Sequence, residues 1–498
     1  MVALKKESMG AVALNNQNLP ALAAYVTKPK FDRAKTKTSI VHIGVGGFHR
    51  AHQALYTQEI LERDGGDWGI CGIGILPQDA KMRDALNAQD FLYTLVEKKD
   101  DGANVKVIGS ITEFLLLQDA PQKVLAKLAD AQTKIVSLTV TEKGYCLDAN
   151  KELDFNHPAV AHDLANLNQP QTAVGLLVCA LQQRMQKSLP SFTVLSCDNL
   201  PTNGAVTRGA VLSFAKKVDA GLARWIETNT TFPNTMVDRI TPVTAPADIS
   251  NLEVQHGIAD AWPVVCETFR QWIVEDNFTM GRPAWEKVGV QFVSDVHAYE
   301  LMKIRLLNGT HSSLAHPGIL LGLKYVHEAT SHPAIQAFVR RIMTDEITPQ
   351  LPPVPGIDLA SYQQTIIDRF ASPVIQDGLP RIIMDGSQKL PNGILAPIQD
   401  CIAKNKSYAG LALSIALWIR HLRGKDEVGN SFAIVDPRSM QLQALANATP
   451  DDPMPILQLA DIFGADLPKN AGFVTAVTKQ LQAINRQGVL KTLQDYIQ

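Results

Sequence analysis

The residues with most chemical potential in this 498-residue chain fall in one short stretch, Glu300-Leu301-Met302-Lys303-Ile304-Arg305-Leu306-Leu307-Asn308-Gly309-Thr310-His311. A lysine among so many apolar neighbours is a candidate general base. Burial disfavours its charged form, and a lysine working near neutral pH needs its pKa brought down from about 10.4 to about 7–8. On an α-helix turning about 100° per residue, Lys303, Asn308 and His311 lie at about 0°, 140° and 80°. They fan across one side, while Leu301, Ile304, Leu306 and Leu307 take other directions. The same pattern also fits a surface lysine on an amphipathic helix, which is where lysines usually stand.

A second group of residues suits a different task. Gly44-Val45-Gly46-Gly47-Phe48-His49-Arg50 follows an apolar, β-branched run and opens a helix-like stretch. In such a turn the first glycine permits the sharp bend and the second lets backbone approach a pyrophosphate. The helix start then offers free N–H groups to the anion, to which Arg50 would add charge. The usual third glycine would fall at 49, where His49 stands, and a plain strand-to-helix turn would look alike. An acid at the end of the next strand would hold a ribose 2′-hydroxyl, whereas a base would favour a 2′-phosphate. Asp79 is the nearest acid, with Lys81 and Arg83 close by. NAD is therefore expected, with NADP not excluded. Asp79 is equally suited to capping the following helix.

Both groups need elements to hold them. Strands are expected at 39–43, 68–76, 134–141 and 192–196, with helices from about 50 to 63 and from Asp79 onward. Strands alternating with helices imply a parallel sheet covered on both faces. After a last strand at 290–293 the pattern becomes helical, with candidates at 297–314, 334–347, 359–370 and 408–423. The expected class is α/β: an N-terminal Rossmann-type domain over 1–288, then a mainly α-helical substrate and catalytic domain over 289–498. Residues 1–38 read as a lead-in with one short helix.

Composition excludes several functions. The chain is 46% hydrophobic and 19% charged with a formal net charge of −2, an ordinary globular balance. It has no basic stripe of the kind nucleic-acid binding requires. No uncharged apolar run reaches about 18 residues, so no membrane span is expected. Lys5 and Lys6 ahead of Met9–Leu14 mimic a signal peptide, but the apolar stretch is shorter than the roughly 7–15 residues needed. Cys71, Cys146, Cys179, Cys197, Cys266 and Cys401 are scattered, which argues for reduced thiols in the cytoplasm rather than disulfides or a thiolate metal site. His49 and His52, three apart, lack the third ligand that a metal site needs.

Four motifs in order resemble the polyol-specific long-chain dehydrogenases. They are Gly44-Val-Gly-Gly-Phe-His-Arg-Ala-His52, Ser196-Cys-Asp-Asn-Leu-Pro-Thr-Asn-Gly204, Met236-Val-Asp-Arg-Ile-Thr-Pro242 and Lys303-x4-Asn308-x2-His311. The likeness runs from about residue 39 to 400 and is nearest to members that interconvert D-mannitol and D-fructose. Hexuronate reductases and pentitol dehydrogenases share similar motifs. The resemblance implies hydride exchange with NAD(H), no metal, a polyol or ketose substrate in the cleft between the domains, and a monomer. It assigns Lys303 as proton acceptor, with Asn199 and Asn308 hydrogen-bonded to the same oxygen. His311 and Asp238 become substrate contacts, Arg381 and Lys389 basic substrate contacts, and Glu300 an aid to proton release. Each has a plainer reading: Asn199 a turn residue before Pro201, Asp238 a partner of Arg239, Arg381 and Lys389 solvated loop charges. Tyr299 and Lys303 share the Y-x-x-x-K spacing of short-chain dehydrogenases, but those chains are far shorter and keep that pair inside the nucleotide domain, so Tyr299 is read as structural. The alternative of another class is a nucleotide-sensing protein without turnover, which would have no need of Lys303 and both asparagines.

Overall fold

The computed structural model describes residues 10–148 and 150–498. Of the signal-like start, Lys5, Lys6 and Met9 lie outside them. The chain divides into two compact units, Met1–Val296 and His297–Gln498.

The first unit is built on five strands: β1 (Thr38–Ile43), β2 (Gly69–Gly74), β3 (Ile111–Leu116), β4 (Ile135–Leu138) and β5 (Thr193–Ser196). Their order is β3-β2-β1-β4-β5, and every neighbouring pair runs parallel. The chain therefore winds outward from β1 in both directions, and β1 marks the switch point of the sheet, where ligands of open α/β sheets bind beyond the strand ends. Strands buried on both faces are largely apolar, with Ser39 and His42 as the buried polar residues of β1. In β1, Val41 and Ile43 enter one core and Ile40 the other, as the two-residue period of a strand requires. Each such side chain, fully buried, contributes about 1.5–3 kcal/mol.

The helix expected from about 50 starts earlier and is broken. Helix α1 (Gly47–Ala51) leads through His52, whose φ of −121° and ψ of −92° are not helical, into α2 (Gln53–Asp64). Helix α3 (Asp79–Ala88) follows β2. The sequence reading missed the antiparallel pair Tyr93–Lys99 and Gly102–Ile108, which the parallel strand Val264–Glu267 extends. It also missed Thr235–Asp238 and Gln271–Glu275, which form a sheet with the expected strand Gln291–Val293. The last of these strands lies beyond residue 288 and pairs with Gln271–Glu275, which carries the first unit on to Val296. The helix expected in the lead-in is a three-residue 3-10 turn, Leu19–Ala21.

In the second unit, Ala409–His421 is apolar almost all round and buried along nearly its whole length. A helix of that kind belongs at the centre of a bundle. It packs against Gly309–Leu320 and Ala471–Gln487. The helix carrying the candidate lysine runs from His297 to Leu320, but its middle, Lys303–Asn308, is a wide turn of π-helix. No helix among the described residues is long and apolar enough to cross a membrane.

Candidate active site

The glycine turn stands at the carboxyl end of β1. Gly44 donates its N–H to Ile73 O at 2.9 Å and has a φ of +93°; a Cβ there would lie 2.2 Å from Thr139 O. Only glycine fits, on conformational and steric grounds together. Gly46 differs: nothing lies within 4 Å of a Cβ built on it, so any need for glycine there comes from a ligand. Gly46 precedes α1 without a side-chain cap, and helix starts leave N–H groups to be satisfied by other means. These features fit a pyrophosphate. Gly44→Ala is expected to cost several kcal/mol, about 1–3 from the backbone and about 1–3 from overlap. Thermal denaturation would show the lowered midpoint, and titration with NADH would show lost affinity.

Below the turn lies a polar string that the sequence reading did not single out. His42 Nδ1 is 2.8 Å from Ser137 Oγ, which donates to Gln53 Oε1 at 2.8 Å; His42 Nε2 is 2.8 Å from Thr139 Oγ1, itself 2.7 Å from Gly44 O. His49, at the position of the missing third glycine, stacks on His42 with ring centroids 3.4 Å apart and planes 12° apart. Burial pushes His42 down to about 3 and His49 well below the usual histidine range. Both rings are therefore neutral and stack without charge repulsion. A pair of flat rings takes the place of the close helix–strand contact that glycine usually allows.

Two expectations at the turn need correcting. Arg50 adds no charge to an anion there: it is 0% exposed, donates to Trp262 O at 2.5 Å and lies over the Tyr93 ring. The His49 side chain is likewise committed to the core, and Phe48 stacks on His52. What Phe48 and His49 can offer a phosphate is backbone. His52 Nε2 donates to Gln271 O at 3.0 Å, so the two histidines turn to different partners.

Asp79 is not a helix cap. Its Oδ2 accepts the N–H of Leu76, three residues upstream, at 2.9 Å, which closes the turn after β2. Arg83, the nearest guanidinium, is tied to Asp84 and Asp119 at 2.5 Å each. At the end of β5, buried Asp198 accepts from Val140 N–H, Thr141 N–H and Tyr145 Oη at 3.2, 2.8 and 2.7 Å. It thereby joins the ends of β4 and β5 and fixes the point from which exposed Asn199 projects. Polar residues ending adjacent parallel strands were the signal that could have found Asp198. Asp238 ends its strand opposite Gln271 and is buried. Its neighbour Arg239 pairs with Glu97 at 2.5 Å and donates to Ala51 O and Glu267 O.

In the second unit, Lys303 is 7% exposed and Glu300, one turn earlier, 6%. The wide turn changes the geometry expected from an α-helix. Gly309 N–H bonds to Ile304 O, an i→i+5 link. Wider winding turns the helix through less than about 100° per residue, so Lys303 and Asn308 come nearer to one face than the roughly 140° separation of an α-helix. His311 stacks on Phe370 at 3.7 Å. Arg305 pairs with Asp400 at 2.6 Å, and Tyr299 donates to Pro355 O at 2.7 Å, a structural role. Arg381 is held by Asp377 through two hydrogen bonds, Nε to Oδ1 at 2.7 Å and Nη2 to Oδ2. Lys389 donates to Ile382 O at 2.9 Å. Their short helices, Leu379–Ile383 and Gly386–Leu390, pack on Gly309–Leu320.

A parallel sheet in the order 3-2-1-4-5, with a glycine turn at its switch point, defines a Rossmann-type dinucleotide-binding protein with a helical second unit. Residues 38–287 match the family model described as the mannitol dehydrogenase Rossmann domain, and residues 295–485 the mannitol dehydrogenase C-terminal domain. The chain belongs to the mannitol dehydrogenase family. It is 44% identical to mannitol 2-dehydrogenase of Aspergillus fumigatus, over 98% of this chain and 100% of that one. Among solved structures it is similar to Pseudomonas fluorescens mannitol 2-dehydrogenase in ternary complex with NAD and D-mannitol. The identity is 47%, with 97% of this chain and 99% of that chain covered and a TM-score of 0.88. A D-sorbitol dehydrogenase in substrate-free form is 36% identical, covers 96% and 99% of the two chains, and has a TM-score of 0.88.

Proposed function

We propose that the protein is an NAD-dependent polyol dehydrogenase that interconverts D-mannitol and D-fructose. The observation that carries this reading is 47% identity across 97% of the chain to an enzyme solved with NAD and D-mannitol. When bound, the nicotinamide exchanges hydride with the substrate's secondary carbon. Lys303 takes the proton of the reacting hydroxyl. Asn308, brought nearer to the same face by the wide turn, and Asn199 donate hydrogen bonds to that oxygen; such a donor is worth about 3–4 kcal/mol in the barrier. His311, its ring set by Phe370, and Asp238 bind further hydroxyls, while Arg381 and Lys389 complete the substrate contacts. Glu300, buried one turn from Lys303, passes the proton onward.

NAD is favoured over NADP because Asp79 repels a 2′-phosphate, while Arg83 is already neutralised by Asp84 and Asp119. A hexuronate substrate is disfavoured because its carboxylate would have to displace Asp377 from Arg381. No metal is assigned a role, the enzyme is taken to act as a monomer, and its six free thiols suit the reducing cytoplasm.

The test is turnover by the purified protein with EDTA present throughout. D-mannitol with NAD and D-fructose with NADH should give full rates, D-sorbitol less, and fructuronate little. Turnover of the uronate alone, or a dependence on added metal, would overturn the reading.

A further inference from the structure

The wide turn at Lys303–Asn308 needs a cause, because nothing in its own residues forbids an α-helix. Helix interiors rarely widen to i→i+5 bonding, and where they do the site is often functional. The residue that closes the wide bond is Gly309, whose N–H reaches Ile304 O. Gly309 is also a point where another helix comes close. A Cβ on Gly309 would lie 2.7 Å from Gly393 O, and a Cβ on Gly393 would lie 3.4 Å from Gly309 Cα and 3.7 Å from Ile304 O. Two backbones touch here with no side chain between them.

Gly393 is itself in a wide turn, Pro391–Leu395, closed by Ala396 N–H to Pro391 O. Pro391 stands at its first position, and proline inside a helix is one of the identifiable places where helices are distorted. The two wide turns pack on each other. The wide turn at Pro391–Leu395 thus presents Gly393 O to the other helix at the residue that closes its own wide turn.

We propose that Gly309 and Gly393 are positioning residues for the reaction: their backbone contact holds the Lys303–Asn308 segment in i→i+5 register and so brings Lys303 and Asn308 nearer to one face. The inference rests on the assignment of Lys303 as base and Asn308 as hydrogen-bond donor. It gives a reason why a base and a donor five residues apart lie closer to one face than they would on an α-helix of the same sequence.

The crossing is asymmetric, and that supplies the test. A methyl on Gly309 collides with Gly393 O, whereas a methyl on Gly393 meets its neighbours at ordinary van der Waals distance. Gly309→Ala is expected to lower kcat at least about tenfold, since small misplacements of catalytic groups can cost up to about 10²-fold. Its Kd for NADH should be unchanged, and the acid limb of its kcat–pH profile should be displaced. Gly393→Val, which pushes on the crossing from the other helix and leaves the catalytic helix intact, should act in the same direction. Gly393→Ala should lose markedly less than either. Folded Gly309→Ala or Gly393→Val with the wild-type kcat and pH profile would overturn the proposal, as would a loss in Gly393→Ala as large as in Gly309→Ala. Lys303→Ala, assayed in parallel, separates the two claims. If it remains active, the base assignment fails; if it is inactive while Gly309→Ala is normal, only the positioning fails.

Discussion

Lys303→Ala is expected to lose turnover by about 10²–10⁴-fold, the range for removing a general acid–base group, which corresponds to about 3–5 kcal/mol in the barrier. NADH should still bind with near wild-type affinity, because the glycine turn and Asp79 lie in the other unit. The fall should appear in kcat rather than in KM, since proton removal acts in the transition state. The pH dependence should change as well: mannitol oxidation by the wild type needs an unprotonated base, so the variant's residual rate should lack the pH step that a titrating base imposes. Small primary amines added to the variant should restore part of the rate, because they supply the missing base and fit the space it leaves. Steady-state kinetics across pH, with and without added amine, and fluorescence titration of NADH would check these expectations. Unchanged turnover in Lys303→Ala would remove the central assignment, and lost NADH binding would show that the substitution had disturbed more than the base.

The parts of this chain that were legible in its sequence are those governed by local rules. Gly44 could be read as a required glycine because it follows a β-branched run and opens a helix, and its φ of +93° is what that reading demands. The α/β-then-helical order was visible in the change of period near residue 290. The family was visible in four motifs taken together, when any one would have been weak. What failed depended on distant partners. Arg50 looks like a phosphate ligand from its place in the turn, but Trp262 and Tyr93 draw it inward. His49 looks like a departure from the glycine pattern until His42 is found stacked beneath it. Nothing between Lys303 and Asn308 signals a departure from an α-helix, and the backbone that meets Gly309 belongs to Gly393 in a different helix. The strand pair Tyr93–Lys99 and Gly102–Ile108 was passed over although Asp100-Asp101-Gly102 is a turn signal.

Acid should destabilise the folded chain well before its carboxylates titrate, and buried histidines are the reason. Burial holds His42, His52 and His421 at about 3, and it also lowers His49 and His316. In the unfolded chain each of these has the ordinary value of about 6.5. Protons therefore bind the unfolded state preferentially between pH 6.5 and about 3. The stability these groups contribute is complete above pH 6.5 and falls as pH drops through that window. Each costs about 1.4 kcal/mol per pH unit, so His42 and His52 together remove about 4 kcal/mol from the first unit at pH 5, against a typical total of about 5–15. Asp198, Asp260 and Glu346, raised by burial, act in the opposite sense as they take up protons, so the loss should flatten at lower pH. Urea unfolding at a series of pH values from 7.5 to 5 would measure the slope, with the two units' transitions followed separately where they part. His52→Asn supplies the control. Whatever it does to absolute stability, the slope for the first unit should fall by about one proton's worth, about 1.4 kcal/mol per pH unit, because Asn does not titrate. A flat profile between pH 7.5 and 5, or the same slope in the variant, would mean that these imidazoles reach protons in the folded state. The stacked His42–His49 pair could not then be the neutral floor on which the glycine turn rests.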